Sequence, residues 1–383
     1  MSVVLHVGKV SGISGSEAHL LTLLPDLRAR GWDARFCLLH EGEPGARAFA
    51  APLAAAGVPV EQVRLRADLD PLAFRRVLAA IRRARPAIVH THLVHADAYG
   101  LPAAALARVP VRVSTKHGFN PFRERRWFAL ADRALARLAH VHVAISRGLA
   151  AYLETSEGLA ASGFEIVHYG IAAGPEPPPP PGAPRLLCVG RLVPVKGHAT
   201  LLRAFADVRA ALPEATLDVV GDGPLRGELE QLAGSLGLER AVRFHGRVEP
   251  VGPLYESAQA VVVPSLGEGF GMVALEAAER GRAVVASAVG GLPEVVRDGV
   301  TGLLVPAGDA PALAAALTAL LGDPDRAAAL GRAGRSRALA EFSLARCADR
   351  IDALYRVALA RRASARSSAA AASSPSAKSQ GTR

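Results

Sequence analysis

Residues 265–277 read SLGEGFGMVALEA and place two carboxylates, Glu268 and Glu276, in a small, apolar stretch with seven residues between them. Carboxylates resist burial unless they find partners, so each must face something polar. Gly267, Gly269 and Gly271 keep the first half of the stretch out of a helix. A helix can begin near Met272 and run to Arg280, where Gly281 ends it. Glu268 then sits on a loop and Glu276 about one turn into a helix. The N–H groups of Phe270, Gly271, Met272 and Val273 lie at that helix's N-terminus, which suits an anion or hydroxyl oxygens. One such acid is ordinary as a loop residue or a satisfied buried group. Two of them, bracketing three glycines after the strand Val261–Val263, are not.

Two fixed cations, Arg191 and Lys196, stand in the segment GRLVPVKG at 190–197, directly after the apolar run Leu186–Val189. Surface cations are commonly just solvated. At the carboxyl end of a strand, however, they face the side of a doubly wound sheet where ligands bind, and a departing pyrophosphate needs such charges. His117 follows the strand Val111–Thr115 and falls on the same kind of edge. The stretch SGISGSE at 11–17 joins the first strand to its helix, and Gly12 and Gly15 would let a ligand approach the backbone. A plain tight turn is equally consistent, because the full G-x-G-x-x-G is missing. His90, His92 and His95, with Asp97 nearby, fit metal binding or simple loop polarity. No defined fourth ligand completes a set, and no metal site is assigned.

These residues act together only if strands and helices bring them to common edges. Val3–Val7, Ala34–Leu39, Ile88–His90, Val111–Thr115 and Val141–Ala144 read as strands. Helices are predicted at Glu17–Arg30, with Pro25 kinking that helix or lying near its solvent side, and at Phe49–Gly57, Ala73–Arg85 and Arg123–Leu138. Residues 172–184, AAGPEPPPPPGAP, fit neither a helix nor a sheet interior and read as a stiff linker. The alternation then restarts, with strands at Leu186–Val189, Thr216–Val220, Val242–His245, Val261–Val263 and Val284–Ala286. Helices between and after them are expected at His198–Ala211, Leu225–Leu236, Pro311–Leu321 and Arg326–Phe342. The expected organisation is an α/β domain over 1–171, the linker, a second α/β domain over 185–345, a terminal helix over 346–362 and a basic, disordered tail over 363–383. Strand–helix alternation means parallel, doubly wound sheets, with the ligand expected in a cleft between the domains.

Composition narrows the classes of function. The 383 residues carry a formal charge of +10 and are 50% apolar, enough for sizeable cores. A basic surface suits nucleic acid, anionic lipid or anionic small molecules; without zinc-finger spacing or an aromatic-rich basic sheet, nucleic acid is the weakest of the three, and none is expected as a partner. Cys37, Cys188 and Cys347 are odd in number and widely spaced, which fits a reducing cytoplasm and neither a disulfide framework nor a metal site. The opening MSVVLHVGK lacks the basic start of a signal peptide, and no apolar run approaches the roughly 20 residues of a spanning helix.

Taken together, the motifs resemble glycosyltransferase family 4, the retaining GT-B glycosyltransferases of group 1. EGFGMVALE matches that family's E-x7-E motif, VGRLVPVKG at 189–197 its donor-diphosphate loop, GISGSEAHLL its N-terminal glycine loop, and GGLPEVVRDGVTGLLVPAGD at 290–309 its signature. The resemblance spans about residues 3–345 and implies two Rossmann-like domains. It implies a nucleotide-diphosphate sugar donor, UDP-, GDP- or ADP-linked, with no further cofactor and no metal. Glu276 would accept from the ribose hydroxyls, and Glu268 would hold a sugar hydroxyl beside the N–H groups of Phe270, Gly271 and Met272. Arg191 and Lys196 would neutralise the diphosphate, Gly12 and Gly15 would approach the donor, Arg247 would lie beside the base, and His117 near the reacting sugar. The family reaction retains anomeric configuration, with front-face attack favoured. GISG replaces the commoner adjacent glycine pair, and the tail beyond Ala363 has no family counterpart.

The expected activity is hexosyl transfer to a hydroxyl acceptor in glycan, lipopolysaccharide or glycolipid synthesis. A GT-B nucleotide-sugar epimerase, a glycogen-synthase-like polymerase and a non-catalytic nucleotide-sugar-binding protein are the alternatives. Residues 120–137, NPFRERRWFALADRALAR, mix basic and aromatic side chains as a helix on an anionic membrane does, and equally as an amphipathic helix of a basic protein does. A sugar or lipid-linked acceptor and a place at the inner face of the cytoplasmic membrane follow from the first reading.

Overall fold

The computed structural model describes residues 1–68, 70–119 and 126–373. The chain divides into two compact units. One comprises Met1–Thr115, Ala131–Val143 and the chain from Ala348; the other comprises Lys116–Leu130 and Ala144–Cys347.

The first half of the chain runs β1 (Val3–Lys9), α1 (Gly15–Ala29), β2 (Asp33–His40), α2 (Pro44–Ala55), β3 (Val60–Arg64), α3 (Pro71–Ala84), β4 (Ile88–His92), α4 (Leu93–Leu106), β5 (Val111–Lys116), α5 (Arg126–Ala136), β6 (Val141–Ala144), α6 (Arg147–Glu157) and β7 (Phe164–Ile166). Its sheet has the order β3-β2-β1-β4-β5-β6-β7, with β1 parallel to both β2 and β4. Every residue of β4 is buried, as a parallel strand covered on both faces requires. α3 shows how local chemistry sets the ends: Asp70 accepts from the N–H groups of Leu72 and Ala73 at 2.9 and 3.1 Å, and Ala73, Val77, Ala80 and Ile81 form the buried stripe.

β3, α4, α6 and β7 are absent from the sequence expectation. Gly100 and Pro102 look like breakers, yet both lie inside α4. Gly100 is needed there because a Cβ would come within 2.5 Å of Thr91 Cγ2 on β4. The helix follows β4 without a loop, Leu93 making the turn at φ 71°.

The second half runs β8 (Arg185–Val189), α7 (His198–Ala211), β9 (Thr216–Val220), α8 (Arg226–Ser235), β10 (Val242–Gly246), α9 (Gly252–Ser257), β11 (Ala260–Val263), α10 (Met272–Glu279), β12 (Ala283–Ser287), α11 (Leu292–Val295), β13 (Leu303–Val305), α12 (Ala310–Leu321), α13 (Pro324–Glu341) and α14 (Leu344–Ser373). The sheet order is β10-β9-β8-β11-β12-β13. Alternate strand residues feed two cores, as the two-residue period of a strand dictates. Leu186, Cys188, Ala260 and Val262 pack with α7 and α12, while Leu187, Val261, Val263 and Val284 pack with Phe270, Leu275 and Phe342.

The compact units do not divide at the proline-rich segment. Leu149, Leu153 and Phe164 belong to the same core as Phe270 and Leu275, so residues from Ala144 onward fold with the second unit. The proline-rich segment itself is clamped to that unit. Proline keeps its carbonyl but has no N–H, and arginines serve the carbonyls: Arg335 donates to Gly174 and Pro175 at 3.1 and 3.2 Å, and Arg282 to Pro178 at 2.6 Å. Glu279 accepts from the Gly174 N–H at 2.8 Å.

A second correction concerns the chain end. α14 continues to Ser373 instead of giving way to a tail at Ala363, because this alanine-rich stretch favours helix and no glycine or proline interrupts it. The sequence beyond Ser373 lies outside the described residues, as does the basic stretch 120–125 of the membrane reading. Among the described residues, no helix is long and apolar enough to cross a membrane.

Candidate functional site

In the second unit the chain moves outward from β8 through β9 to β10, then returns to the other side of β8 with β11. Loops leaving neighbouring strands at such a reversal diverge and open a crevice at the strands' carboxyl ends, where doubly wound sheets bind ligands. The two loops here are 190–197 and 264–271, the segments that carry the cations and the first acid.

Lys196 and Glu268 span them. The Lys196 ammonium donates to Glu268 Oε2 at 2.6 Å, with the side chains 23% and 15% exposed. Ser265 Oγ donates to the same oxygen at 3.2 Å, which leaves Glu268 Oε1 without a protein partner among the described residues. The loops also lock through backbone, Leu266 N–H donating to the Val195 carbonyl at 2.8 Å. Gly197 stands at φ 69°, where a Cβ would lie 2.0 Å from the Pro264 carbonyl oxygen; only glycine allows this approach. Arg191 and Arg247 are exposed and make no ion pair among the described residues.

The acidic loop ends in Gly271, at φ 105°, the residue preceding α10. Among the described residues no side chain caps this helix, so the N–H groups of Met272 and Val273 remain available. Phe270 contributes only its backbone to that end: its ring is 1% exposed and packs in the core against Phe342 and His168, with centroids 5.7 and 5.5 Å away.

Glu276 lies one turn into α10, and its Oε2 accepts from the Tyr255 hydroxyl at 2.8 Å. Burial pushes its carboxyl above the usual range, opposed by the hydrogen bond from Tyr255 and by Arg280. The two acids therefore differ physically. Glu268 is paired with a cation, while Glu276 is a nearly buried acceptor with a neutral partner.

His117 belongs to the same unit. The backbone at His117 and Gly118 lies against the motif loop: a Cβ on Gly269 would come within 2.9 Å of the His117 carbonyl oxygen. Its ring Nδ1 is hydrogen-bonded to the Tyr169 hydroxyl, and the rings stack with centroids 5.8 Å apart. Ser146 Oγ donates to the Gly269 carbonyl at 2.5 Å. Glu294 accepts from the Gly148 N–H at 2.9 Å and pairs with His168 Nε2 at 2.8 Å. Burial alone would raise the Glu294 carboxyl, but His168 and the N–H groups of Gly148 and Arg147 hold it below the usual range. Tyr255, Tyr169, Ser146 and Ser265 were not singled out from sequence. Glu294 lay in the signature stretch but carried no assigned role.

The first unit holds the remaining candidates. Gly12 lies in the loop after β1 with open space where a Cβ would stand, and Gly15 opens α1. Ser14 and Glu17 form a capping box, the Ser14 N–H donating to Glu17 Oε2 at 3.0 Å. The histidine group is not as the sequence suggested. His95 turns to Asp68 at 3.1 Å, and Asp97 accepts from Thr91 and Ser114. His90 and His92 instead meet His6, with one ring nitrogen of each within 4.8 Å of the others. These nitrogens are engaged: His6 Nδ1 lies 2.9 Å from His92 Nε2, and His90 is bonded to both the Tyr355 and Thr115 hydroxyls at 2.6 Å. Burial lowers His6 to about 3, so it is neutral near pH 7. The cluster reads as a hydrogen-bonded core that holds α14 through Tyr355.

The family model described as Glycosyltransferase Family 4 matches residues 13–220, more than half of the chain, and that described as Glycosyl transferases group 1 matches residues 183–323. This chain belongs to glycosyltransferase family 4. It is 39% identical over 165 residues to a GDP-mannose-dependent alpha-(1-6)-phosphatidylinositol monomannoside mannosyltransferase of Mycolicibacterium smegmatis, which covers 41% of this chain and 43% of the relative. Against a glycogen synthase of Mycobacterium tuberculosis it is 33% identical over 285 residues, covering 69% of this chain and 67% of the relative. The chain spans less than half the length of the first of these relatives. The fold of this family 4 chain matches that of Anabaena HepE, solved with UDP and glucose, at TM-score 0.82 and 22% identity over 93% of this chain and 100% of that one. A sucrose-phosphate synthase from Thermosynechococcus elongatus matches at TM-score 0.78 and 25% identity, over 94% and 100% of the two chains. Two parallel-sheet, Rossmann-like units are thus the GT-B architecture.

Proposed function

We propose that this protein is a retaining glycosyltransferase that moves a hexosyl group from a nucleotide-diphosphate sugar to a hydroxyl acceptor, without requiring a metal ion. The observation that carries the reading is the Lys196–Glu268 pair at 2.6 Å across the β8/β11 reversal. An ammonium has three donors; one serves Glu268, which leaves two for the donor's diphosphate. Glu268 keeps Oε1 for a sugar hydroxyl, Glu276 accepts from the ribose, and Arg191 and the α10 N–H groups add charge stabilisation where the leaving group departs. Arg247 lies beside the base, and His117 stands near the reacting sugar.

The direct test is release of nucleoside diphosphate from UDP-, GDP- and ADP-sugars, with the anomeric configuration of the product read by NMR. Retention and turnover unaffected by EDTA are expected. His117→Ala should slow turnover by about tenfold or more with little change in donor KM. Release from none of the donors would favour the non-catalytic binding protein.

We propose further that the acceptor is lipid-linked and that the protein works in glycan or glycolipid synthesis at the cytoplasmic face of an anionic membrane. The name of the Mycolicibacterium relative describes a phosphatidylinositol-based acceptor, and α5 exposes 64% of Leu130 one turn from Arg133. In low salt the protein should float with vesicles containing phosphatidylglycerol and not with neutral ones. No flotation with either removes the membrane reading.

A further inference from the structure

We propose that Tyr255 is a positioning residue for the ribose acceptor: its buried hydroxyl fixes one oxygen of Glu276 and thereby presents the other to the ribose of a nucleotide donor. The inference rests on the reading of Glu276 as the ribose acceptor.

Tyr255 lies in α9 and is 1% exposed, in the core with Leu187, Phe270 and Ala274. A buried phenol hydroxyl must find a partner. Among the described residues its one hydrogen-bond partner is Glu276 Oε2, at 2.8 Å. Arg280, one turn beyond Glu276, places its guanidinium 5.1 Å from the centre of the Tyr255 ring and donates to the Glu276 carbonyl at 3.3 Å. The ring is therefore held at its face as well as its tip.

The direction of this hydrogen bond is fixed. Burial, and then the Glu276 charge, push the Tyr255 hydroxyl well above its ordinary range, so it keeps its proton and donates. The groups facing Glu276 are Tyr255 from α9, Glu279 on its own helix and Arg280 at that helix's C-cap; Cys188 of β8 faces Tyr255. Glu276 Oε1 has no protein partner among the described residues. A carboxylate free to turn would offer either oxygen and lose that freedom on binding. With Oε2 held, Oε1 is already aimed, and part of the ordering cost disappears from binding. A purely structural tyrosine would affect stability and leave ligand selectivity alone.

The experiment measures affinities of the full chain for UDP, GDP and ADP and for their 2′-deoxy and 3′-deoxy forms by calorimetry. The unaltered protein should prefer the ribonucleotide of its base by about tenfold over at least one deoxy form. Tyr255→Phe should shrink this preference to threefold or less, mainly by weakening the ribonucleotide, and should move the acid limb of ribonucleotide affinity to higher pH. Glu276→Ala should abolish the preference. A Tyr255→Phe protein with the preference and pH profile intact, whatever its thermal stability, overturns the proposal. A preference that survives Glu276→Ala, or one absent from the unaltered protein, overturns the ribose reading itself and this inference with it.

Discussion

Lys196→Ala is expected to lower kcat by about 10²–10³-fold, the loss typical of removing one well-placed donor to a developing oxyanion, under the proposed transferase reading. The effect comes from charge at the leaving group more than from stability. The pair with Glu268 is partly exposed, at 23% and 15% for the two side chains, so the variant should lose only about 1 kcal/mol of stability. Glu268 keeps its bond from Ser265, and the loops stay joined through the Leu266–Val195 backbone bond. Lys196→Arg should recover only part of the rate, since a planar guanidinium does not reproduce a compact ammonium at a short contact. Single-turnover rates with saturating donor make the measurement. A loss under tenfold in the alanine variant would remove Lys196 from the leaving-group role.

Much of this site was legible because its chemistry is local in sequence. The strand runs, the glycines that forbid helix and the acids on either side of Gly271 all lie within short windows, and the structure places Glu268 on a loop and Glu276 on α10 as that spacing implies. What was illegible depends on contacts between distant segments. Tyr255 meets Glu276 from across an intervening strand, and no local pattern marks it. The histidines misled for the same reason: His95 is near His92 in sequence, whereas His6 reaches it through the β1–β4 pairing. The division of the units was hidden too. The proline-rich segment is conspicuous in composition, but the packing that decides where units divide is made by Leu149, Leu153 and Phe164, which look like any apolar residues.

Gly290→Ala should be among the most damaging single methyl additions in the second unit. Gly290 stands at φ 54°, and a Cβ there would lie 1.9 Å from the carbonyl oxygen of Glu268 and 3.0 Å from Phe119 Cε2. The left-handed conformation alone costs an alanine about 1–2 kcal/mol. The overlap adds more, because its counterpart is backbone that cannot rotate away. The Glu268 carbonyl is held by the Gly291 N–H at 3.0 Å, and on the other side a Cβ on Gly148 would already lie 2.2 Å from the Gly290 carbonyl oxygen. With both neighbours fixed, relief requires the loop bearing Glu268 to shift. A displacement of about 1 Å at a reacting centre can cost 10²-fold in rate. Gly290→Ala should therefore lose about 3 kcal/mol or more of stability and about 10²-fold in turnover. Gly299→Ala is the control: it shares the left-handed backbone, at φ 68°, but has nothing within 4 Å of the added carbon. It should lose only about 1–2 kcal/mol and keep its rate. Urea midpoints and donor turnover for the two variants separate strain from displacement, and equal losses in both would show that the Glu268 loop does not feel Gly290.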